Sequence, residues 1–367
     1  VNEITKLIID ATTKIMKDIC TKKLVNEAEQ GLWASELWDI LADSGMITVA
    51  IPEERGGNGG GYADAFNILR LAGKYAAPIP LAETFLGNWL LNQLGGEISD
   101  EPLTFAYPNK NQLFRFQKNG EGWVVSGKAR AIPWARFAKT ILIFGQTESE
   151  HVVALIKKEH GHIELGQNLA GEARDTITLD HTFIKDCQVI PIEFEHVSNQ
   201  LWHSGALTRI VLMAGATERV LELTKTYTTE RVQFGRPIHR FQAIQQQLAI
   251  LAGEYAAAGI AADCAVDAFK PGFQSKDIAM AKIRINEAAG KAAAIAHQVH
   301  GAIGFTHEHI LHQYTRRLWA WRDEYGTETE WGNQLAHQIV ENGQAGLWSF
   351  LTDKKSIGRI IEKKESV

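Results

Sequence analysis

Three arginines gather around a break in a helical pattern: Arg231, Arg236 and Arg240, in the stretch Arg231-Val-Gln-Phe-Gly-Arg-Pro-Ile-His-Arg240. Gly235 and Pro237 interrupt the pattern. Phe241, Ile244, Leu248, Leu251 and Tyr255 then recur at steps of three and four, which predicts one apolar face of a new helix. A helix N-terminus offers unpaired N–H groups, and guanidinium forks match phosphate oxygens, so the stretch suits a phosphate. An exposed helix–helix turn with solubilising arginines would use the same residues, and this stretch alone does not separate the two readings.

Other residues invite chemistry and answer to simpler readings. Gly57-x-Gly59 follows an apolar run, as in dinucleotide-binding folds, but the third glycine of that fingerprint falls on Tyr62. A glycine-rich loop between helices is the better reading. His307 and His312 miss the four-residue spacing that sets two histidines on one helix face for zinc, so no metal site is expected. Arg316-Arg-Leu-Trp-Ala-Trp-Arg322 alternates basic and aromatic residues, a composition that stacks nucleic-acid bases. The net charge of −5, without a long basic run, argues against a nucleic-acid partner and for helix packing with snorkelling arginines.

The elements that must position these residues change period twice. In the first hundred residues, Ile4, Leu7, Ile8, Ile15 and Ile19 predict one amphipathic helix, and Leu32, Trp33, Leu37, Ile40 and Leu41 a second. From about Glu101, β-branched runs separated by turn residues predict a small antiparallel barrel or sandwich that ends near Pro191: Trp123-Val-Val, Thr140-Ile-Leu-Ile-Phe, Val152-Val-Ala-Leu-Ile, His162-Ile-Glu-Leu and Thr176-Ile-Thr-Leu. After Val197 the pattern is helical again. Leu207, Ile210, Val211, Ala214 and Val220 predict a long helix, and an alanine-rich one follows over about Lys276 to His300, with Ser275 placed to cap it. A chain of 367 residues exceeds one ordinary domain. Cys20, Cys187 and Cys264 are too few and too scattered for a disulfide framework or a CxxC metal site. No run as apolar as a membrane span stands out, and the opening Val1-Asn-Glu-Ile lacks a charged-then-apolar leader, although its valine implies that a start methionine or more is missing. A cytoplasmic location is expected.

Two patterns converge on one family. Arg-x-Gln-Phe-Gly-x-Pro-Ile from Arg231, continued by Phe241-Gln-x-Ile-Gln-x-x-Leu-Ala249, and the later Gln298-Val-His-Gly-Ala-Ile-Gly-Phe305 resemble the C-terminal domain of the acyl-CoA dehydrogenase family. The resemblance runs from about Leu32 to about residue 340, and includes the loop Pro52-Glu-Glu-Arg-Gly-Gly-Asn-Gly59. It implies an α+β multidomain fold: an N-terminal helical domain (1–100), a middle antiparallel β-barrel or sandwich (101–197) and a C-terminal four-helix bundle (198–367), assembled as a tetramer. It also implies FAD as cofactor, an acyl-CoA substrate desaturated at Cα–Cβ, and an electron-transferring flavoprotein as acceptor. Arg231, Gln233, Phe234 and Gln242 match positions that bind a neighbouring subunit's FAD, and Gln298, Gly301, Ala302 and Gly304 match the loop along its diphosphate. Ala302 stands where the family usually has glycine.

The resemblance has gaps at the chemistry itself. Counted without a gap, the family's catalytic glutamate falls on Tyr325, with Glu324 one residue before it as the candidate base. The other position that carries the glutamate in some members falls on Thr208. In the β domain, Phe105-Ala-Tyr-Pro-Asn-Lys-Asn replaces the family's flavin-contacting stretch. Pro133, before Trp134, replaces the flavin-bonding threonine and has no N–H to offer. Two readings follow: a self-sufficient dehydrogenase with Glu324 as base, or the non-catalytic subunit of a heteromeric one, completing a homologous partner's FAD site.

Overall fold

The computed structural model describes residues 3–269, 276–342 and 347. Its first part forms helices α1 (Glu3–Ile19), α2 (Lys22–Glu29), α3 (Ser35–Asp43), α4 (Tyr62–Lys74) and α5 (Leu81–Leu94). The apolar face of α1 is narrower than its spacing predicts: Ile8, Ile15 and Ile19 pack inward around Met16, while Ile4 and Leu7 are exposed. The sequence pattern missed α2, whose eight residues hold too few apolar side chains to mark a face; Thr21 caps it by accepting from the Leu24 N–H at 3.2 Å. Gly56 to Gly61 form a loop before α4, with no strand ahead of it, as its failed fingerprint requires.

The middle part is one sheet of β1 (Leu103–Phe105), β2 (Phe114–Asn119), β3 (Gly122–Pro133), β4 (Thr140–Gln146), β5 (His151–Lys157), β6 (His162–Glu164), β7 (Arg174–Lys185) and β8 (Val189–Ile192). Its order is β6-β7-β3-β2-β4-β5-β8, with β1 also on β4. The sheet is sandwich-like and not a closed barrel. It is also not purely antiparallel, because β1 and β2 both run parallel to β4. Strand β4 reads Thr-Ile-Leu-Ile-Phe without alternation because both its faces are covered. Ile141 and Ile143 join the core inside the sheet, while Leu142 and Phe144 pack on Leu86, Trp89 and Leu90 of α5.

The last part is helical. α6 (Phe194–Glu230) is followed by the two-residue pair β9 (Val232–Gln233) and β10 (Arg236–Pro237), then α7 (Gln242–Ala268), α8 (Lys276–His300), α9 (Leu311–Asp323) and α10 (Glu328–Asn342). Ser275, the expected cap of α8, lies outside the described residues. Helices α6, α7, α8 and α9 pack together, and α1, α3 and α4 add to the same core. α4 meets α6 backbone to backbone: a Cβ at Gly73 would lie 2.0 Å from the Leu212 carbonyl oxygen, and one at Gly215 1.8 Å from that of Arg70. α7 departs from the expectation that no stretch is apolar enough for a membrane, since by length and composition it passes. Its Ile250 and Ile260 are 50% and 65% exposed.

Candidate functional site along the long helix

The predicted site residues fall at two places on α6. At its C-terminal end Arg231 leaves the helix, and the chain turns through Phe234 and Gly235, both at positive φ (51° and 77°). It returns antiparallel, Gln233 opposite Arg236, and starts α7 at Gln242. Arg231, Gln233, Phe234, Arg236, Arg240 and Gln242 are all exposed, Phe234 by 93%. The Arg236 guanidinium lies 4.2 Å from the Phe241 ring centre. Among the described residues no carboxylate pairs with Arg231, Arg236 or Arg240.

The second predicted group reaches the same end. Gln298 lies in the last turn of α8, and Gly301 (φ 64°), Ala302 and Gly304 form the turn after it. Tyr227, one turn before Arg231, donates to the His300 carbonyl at 3.2 Å and stacks on that ring at 4.4 Å. Gln298, Gly301 and Ala302 are exposed, and Gly304 is buried. A side chain at Gly235 or Gly301 would meet nothing within 4 Å. Unpaired arginines beside open glycine backbone fit a diphosphate. Near this turn His307 and His312 lie ring to ring at 4.7 Å, but among the described residues no three side chains converge as metal ligands. Burial pushes His300 and His312 down to about 4.

Glu324 lies far from that group, beside the N-terminal half of α6. Its carboxylate accepts from Arg174 Nη2 at 2.5 Å and Nε at 2.9 Å, and from Arg209 Nε at 2.6 Å. Desolvation works against the anion, but the two guanidinium groups prevail and hold its pKa at about 2. Each arginine is paired again, Arg209 to Glu83 at 2.6 Å and Arg174 to Glu172 at 3.2 Å. Glu172 also accepts from Trp321 Nε1 at 3.0 Å and faces Arg317 at 3.6 Å, and Glu29 of α2 binds both Arg316 and Arg317. The ladder Glu83–Arg209–Glu324–Arg174–Glu172–Arg317–Glu29–Arg316 alternates in sign and draws on α2, α5, the sheet, α6 and α9. Within the basic-aromatic run of α9, Arg317 does not snorkel: it is 1% exposed and spent on this ladder, while Arg316 and Arg322 stay partly exposed. Lys282 of α8 donates to the carbonyls of Trp321 (3.3 Å) and Arg322 (2.8 Å), fixing the end of α9 just before Glu324.

Tyr325, in the register of the family's glutamate, takes φ 55°. Left-handed backbone costs a tyrosine about 1–2 kcal/mol, and a bond from Trp331 Nε1 to its carbonyl (2.8 Å) holds it there. Thr208 turns its hydroxyl back to the Gly205 carbonyl at 2.7 Å. Where a flavin ring would need a donor, Pro133 pairs with Arg174 across β3 and β7, its carbonyl accepts from Thr104 at 2.6 Å, and Trp134 is buried beside it. The space among Glu83, Trp134, Arg174, Arg209 and Trp321 amounts to about 20 Å³, room for one water at most. A flavin ring does not fit these residues as they stand.

The sequence reading singled out none of Glu83, Arg174 and Arg209. A signal existed for two of them: Glu83 is the one charge in α5, and Arg209 stands alone in the apolar run Leu207 to Ala216. A lone charge on a buried helix requires a partner.

Known proteins resemble the chain in sequence and in fold. Residues 2–99 match the acyl-CoA dehydrogenase N-terminal domain and residues 196–338 its C-terminal domain. An acyl-CoA dehydrogenase of Mycolicibacterium smegmatis, IpdE2, is 30% identical over 292 residues, covering 79% of this chain and 83% of that protein. In fold, the chain is similar to the ChsE4-ChsE5 complex from Mycobacterium tuberculosis (TM-score 0.81, 22% identity, 93% of this chain and 98% of that one). It is also similar to a glutaryl-coenzyme A dehydrogenase in complex with glutaryl-CoA (TM-score 0.82, 19% identity, 93% and 96%). The chain belongs to the acyl-CoA dehydrogenase family.

Proposed function

We propose that this chain is the base-less subunit of a heteromeric acyl-CoA dehydrogenase, an oxidoreductase of the cytoplasm, and that it completes the FAD site of a homologous neighbour. The observation that carries this reading is Glu324 between Arg174 and Arg209. A carboxylate held at about 2 accepts a proton roughly a hundredfold less readily than an ordinary glutamate. Tyr325 and Thr208, the two residues in glutamate registers, offer no carboxylate.

α6 separates this pocket from the phosphate-binding group. Arg209 and Arg231 lie about six helical turns apart, roughly 33 Å at about 1.5 Å per residue. The exposed group around Arg231 therefore faces outward, toward a second subunit. There, Arg231, Gln233, Phe234 and Gln242, with Gln298, Gly301, Ala302 and Gly304, would hold the diphosphate and adenine end of the neighbour's FAD. When bound, FAD supplies the acceptor for the β-hydride of an acyl-CoA. This chain's contribution is to bind and orient it, while the neighbour supplies the base and the electrons leave to an electron-transferring flavoprotein. The likeness to a complex of two named chains, ChsE4 and ChsE5, supports such pairing, and the exposed apolar side of α7 supplies a surface for it. Homologous neighbours placed around a shared helical core would give the tetramer of the family.

Purification decides between this and a self-sufficient enzyme. The chain expressed alone should be colourless and stay so with added FAD. Co-expressed with a homologous chain, it should give a yellow assembly bleached by an acyl-CoA, and Arg231→Ala should lower flavin retention at least tenfold. A lone chain that is yellow and bleached by octanoyl-CoA would overturn the reading.

A further inference from the structure

One face of α6 carries two separate spaces. Near its start, Glu195, Ser198, Asn199 and Trp202, with Tyr107 and Gln334, wall an outer pocket of about 430 Å³. Two turns further in, Thr208 walls a second, smaller cavity of about 30 Å³ among Tyr62, Phe66, Leu69, Phe85 and Trp89. The outer pocket is lined by polar and aromatic groups and the inner one almost wholly by apolar side chains. Trp202, Gly205 and Thr208 stand one above another on the helix, about 4.5 Å apart. The ring of Tyr325 lies over the middle one: a Cβ at Gly205 would fall 2.2 Å from its Cε1. Tyr107 and Trp202, from the outer pocket, meet the same ring at 5.9 Å and 6.5 Å between centres. Arg209 covers it at 5.3 Å.

We propose that Tyr325 is a plug: its ring closes a passage along α6 that would otherwise join the polar mouth to the apolar interior. A polar mouth leading to an apolar end matches one chemical class, a polar head carrying a single aliphatic tail, and an acyl thioester is such a molecule. With the plug seated, the chain accommodates the head of an acyl-CoA and excludes its tail. The seat suits the task, because only glycine at position 205 lets a ring lie on the helix backbone. The lock is the ladder described above, since Arg209 both covers the ring and binds Glu324, its chain neighbour. This inference rests on the reading of the chain as a base-less subunit and names the residue that keeps substrate out of it.

The test is calorimetric titration of the full chain with octanoyl-CoA and, separately, acetyl-CoA, which differ only in tail length. The wild-type chain should bind both equally, within about twofold; a wild-type chain that binds neither overturns the polar mouth as a head site. Tyr325→Gly, which removes the ring and suits the positive φ, should bind octanoyl-CoA at least tenfold more tightly than acetyl-CoA, as burial of only about two of its six further methylenes requires. Tyr325→Phe, which keeps the ring, should behave as the wild type. A wild-type chain that already prefers octanoyl-CoA tenfold overturns the plug. So does a folded Tyr325→Gly chain without the preference. Should Tyr325→Gly fail to fold, Tyr325→Leu takes its place, with a preference of at least threefold required. The readout needs no flavin, so a colourless wild-type chain that prefers the long tail sinks the plug alone. A yellow chain bleached by octanoyl-CoA sinks the functional reading itself.

Discussion

Glu324 carries one negative charge between two guanidinium groups, and each of these is bound to a second carboxylate. Removing one member of a buried alternating ladder leaves its neighbours unpaired in a poor solvent for charge. That costs more than the pair contributes against a hydrophobic replacement. Glu324→Gln should therefore lower unfolding free energy by about 3–5 kcal/mol in urea titration. A glutamate kept free for proton abstraction would show little change. The pH dependence has the same root. Glu324 is held at about 2, below its unfolded value near 4.3, so its stabilisation is complete above that value and lost as pH falls toward 2. His300 and His312, pushed by burial to about 4 from near 6.5, are neutral in the fold; the unfolded chain takes up their protons first, so stability drops as pH falls from 6.5 to 4. Thermal melting should therefore move steadily down between pH 6.5 and 3, and Glu324→Gln should flatten only its acid end. At this scale the sequence was legible where a charge stood alone on an apolar helix, as Glu83 and Arg209 do. Arg174 lies in a polar stretch at the start of a strand, where nothing local distinguishes it.

Elements carry the next layer. The crossing of α4 and α6 depends on two glycines, Gly73 and Gly215, that let backbone touch backbone. A methyl at position 215 would lie 1.8 Å from the Arg70 carbonyl oxygen and 2.8 Å from the Lys74 nitrogen, with no flexible side chain to yield. Gly215→Ala should cost about 2–3 kcal/mol or more despite its better helix propensity, read as a shift in urea midpoint. The elements themselves were largely legible, because period-two and period-3.6 patterns arise from local chain geometry. The strand runs at Trp123, Thr140, Val152, His162 and Thr176 all became strands. The parallel pairing of β1 and β2 with β4 was not legible, since register between distant strands is set by the faces they bury and not by either strand alone. The long helix begins at Phe194, before its apolar face becomes regular at Leu207, since its first turns are half covered by the sheet and α10.

For the whole molecule, α6 acts as a spacer. Its inner half holds a pocket filled by ion pairs and Tyr325; its far end presents Arg231, Phe234 and the Gln298 turn to solvent. α7 starts from that same end, and its outer side is apolar: Ile250 is 50% exposed and Ile260 65%, with Leu251, Ala258, Ala262 and Ala265 facing the core. A helix apolar on both sides needs a cover on the second. If a homologous chain provides it, the neighbour's flavin and the Arg231 group meet only in the assembly, and losing the contact must release the cofactor. Ile260→Asp tests that coupling, because an aspartate on this face is solvated in the free chain and buried without a partner in the complex. Sedimentation of the co-expressed assembly, followed at the flavin absorbance, should show the mass falling to that of single chains and the flavin running free. Dispersed chains that kept their flavin would mean that each subunit binds FAD without its neighbour, and the group around Arg231 would revert to an ordinary solvated turn.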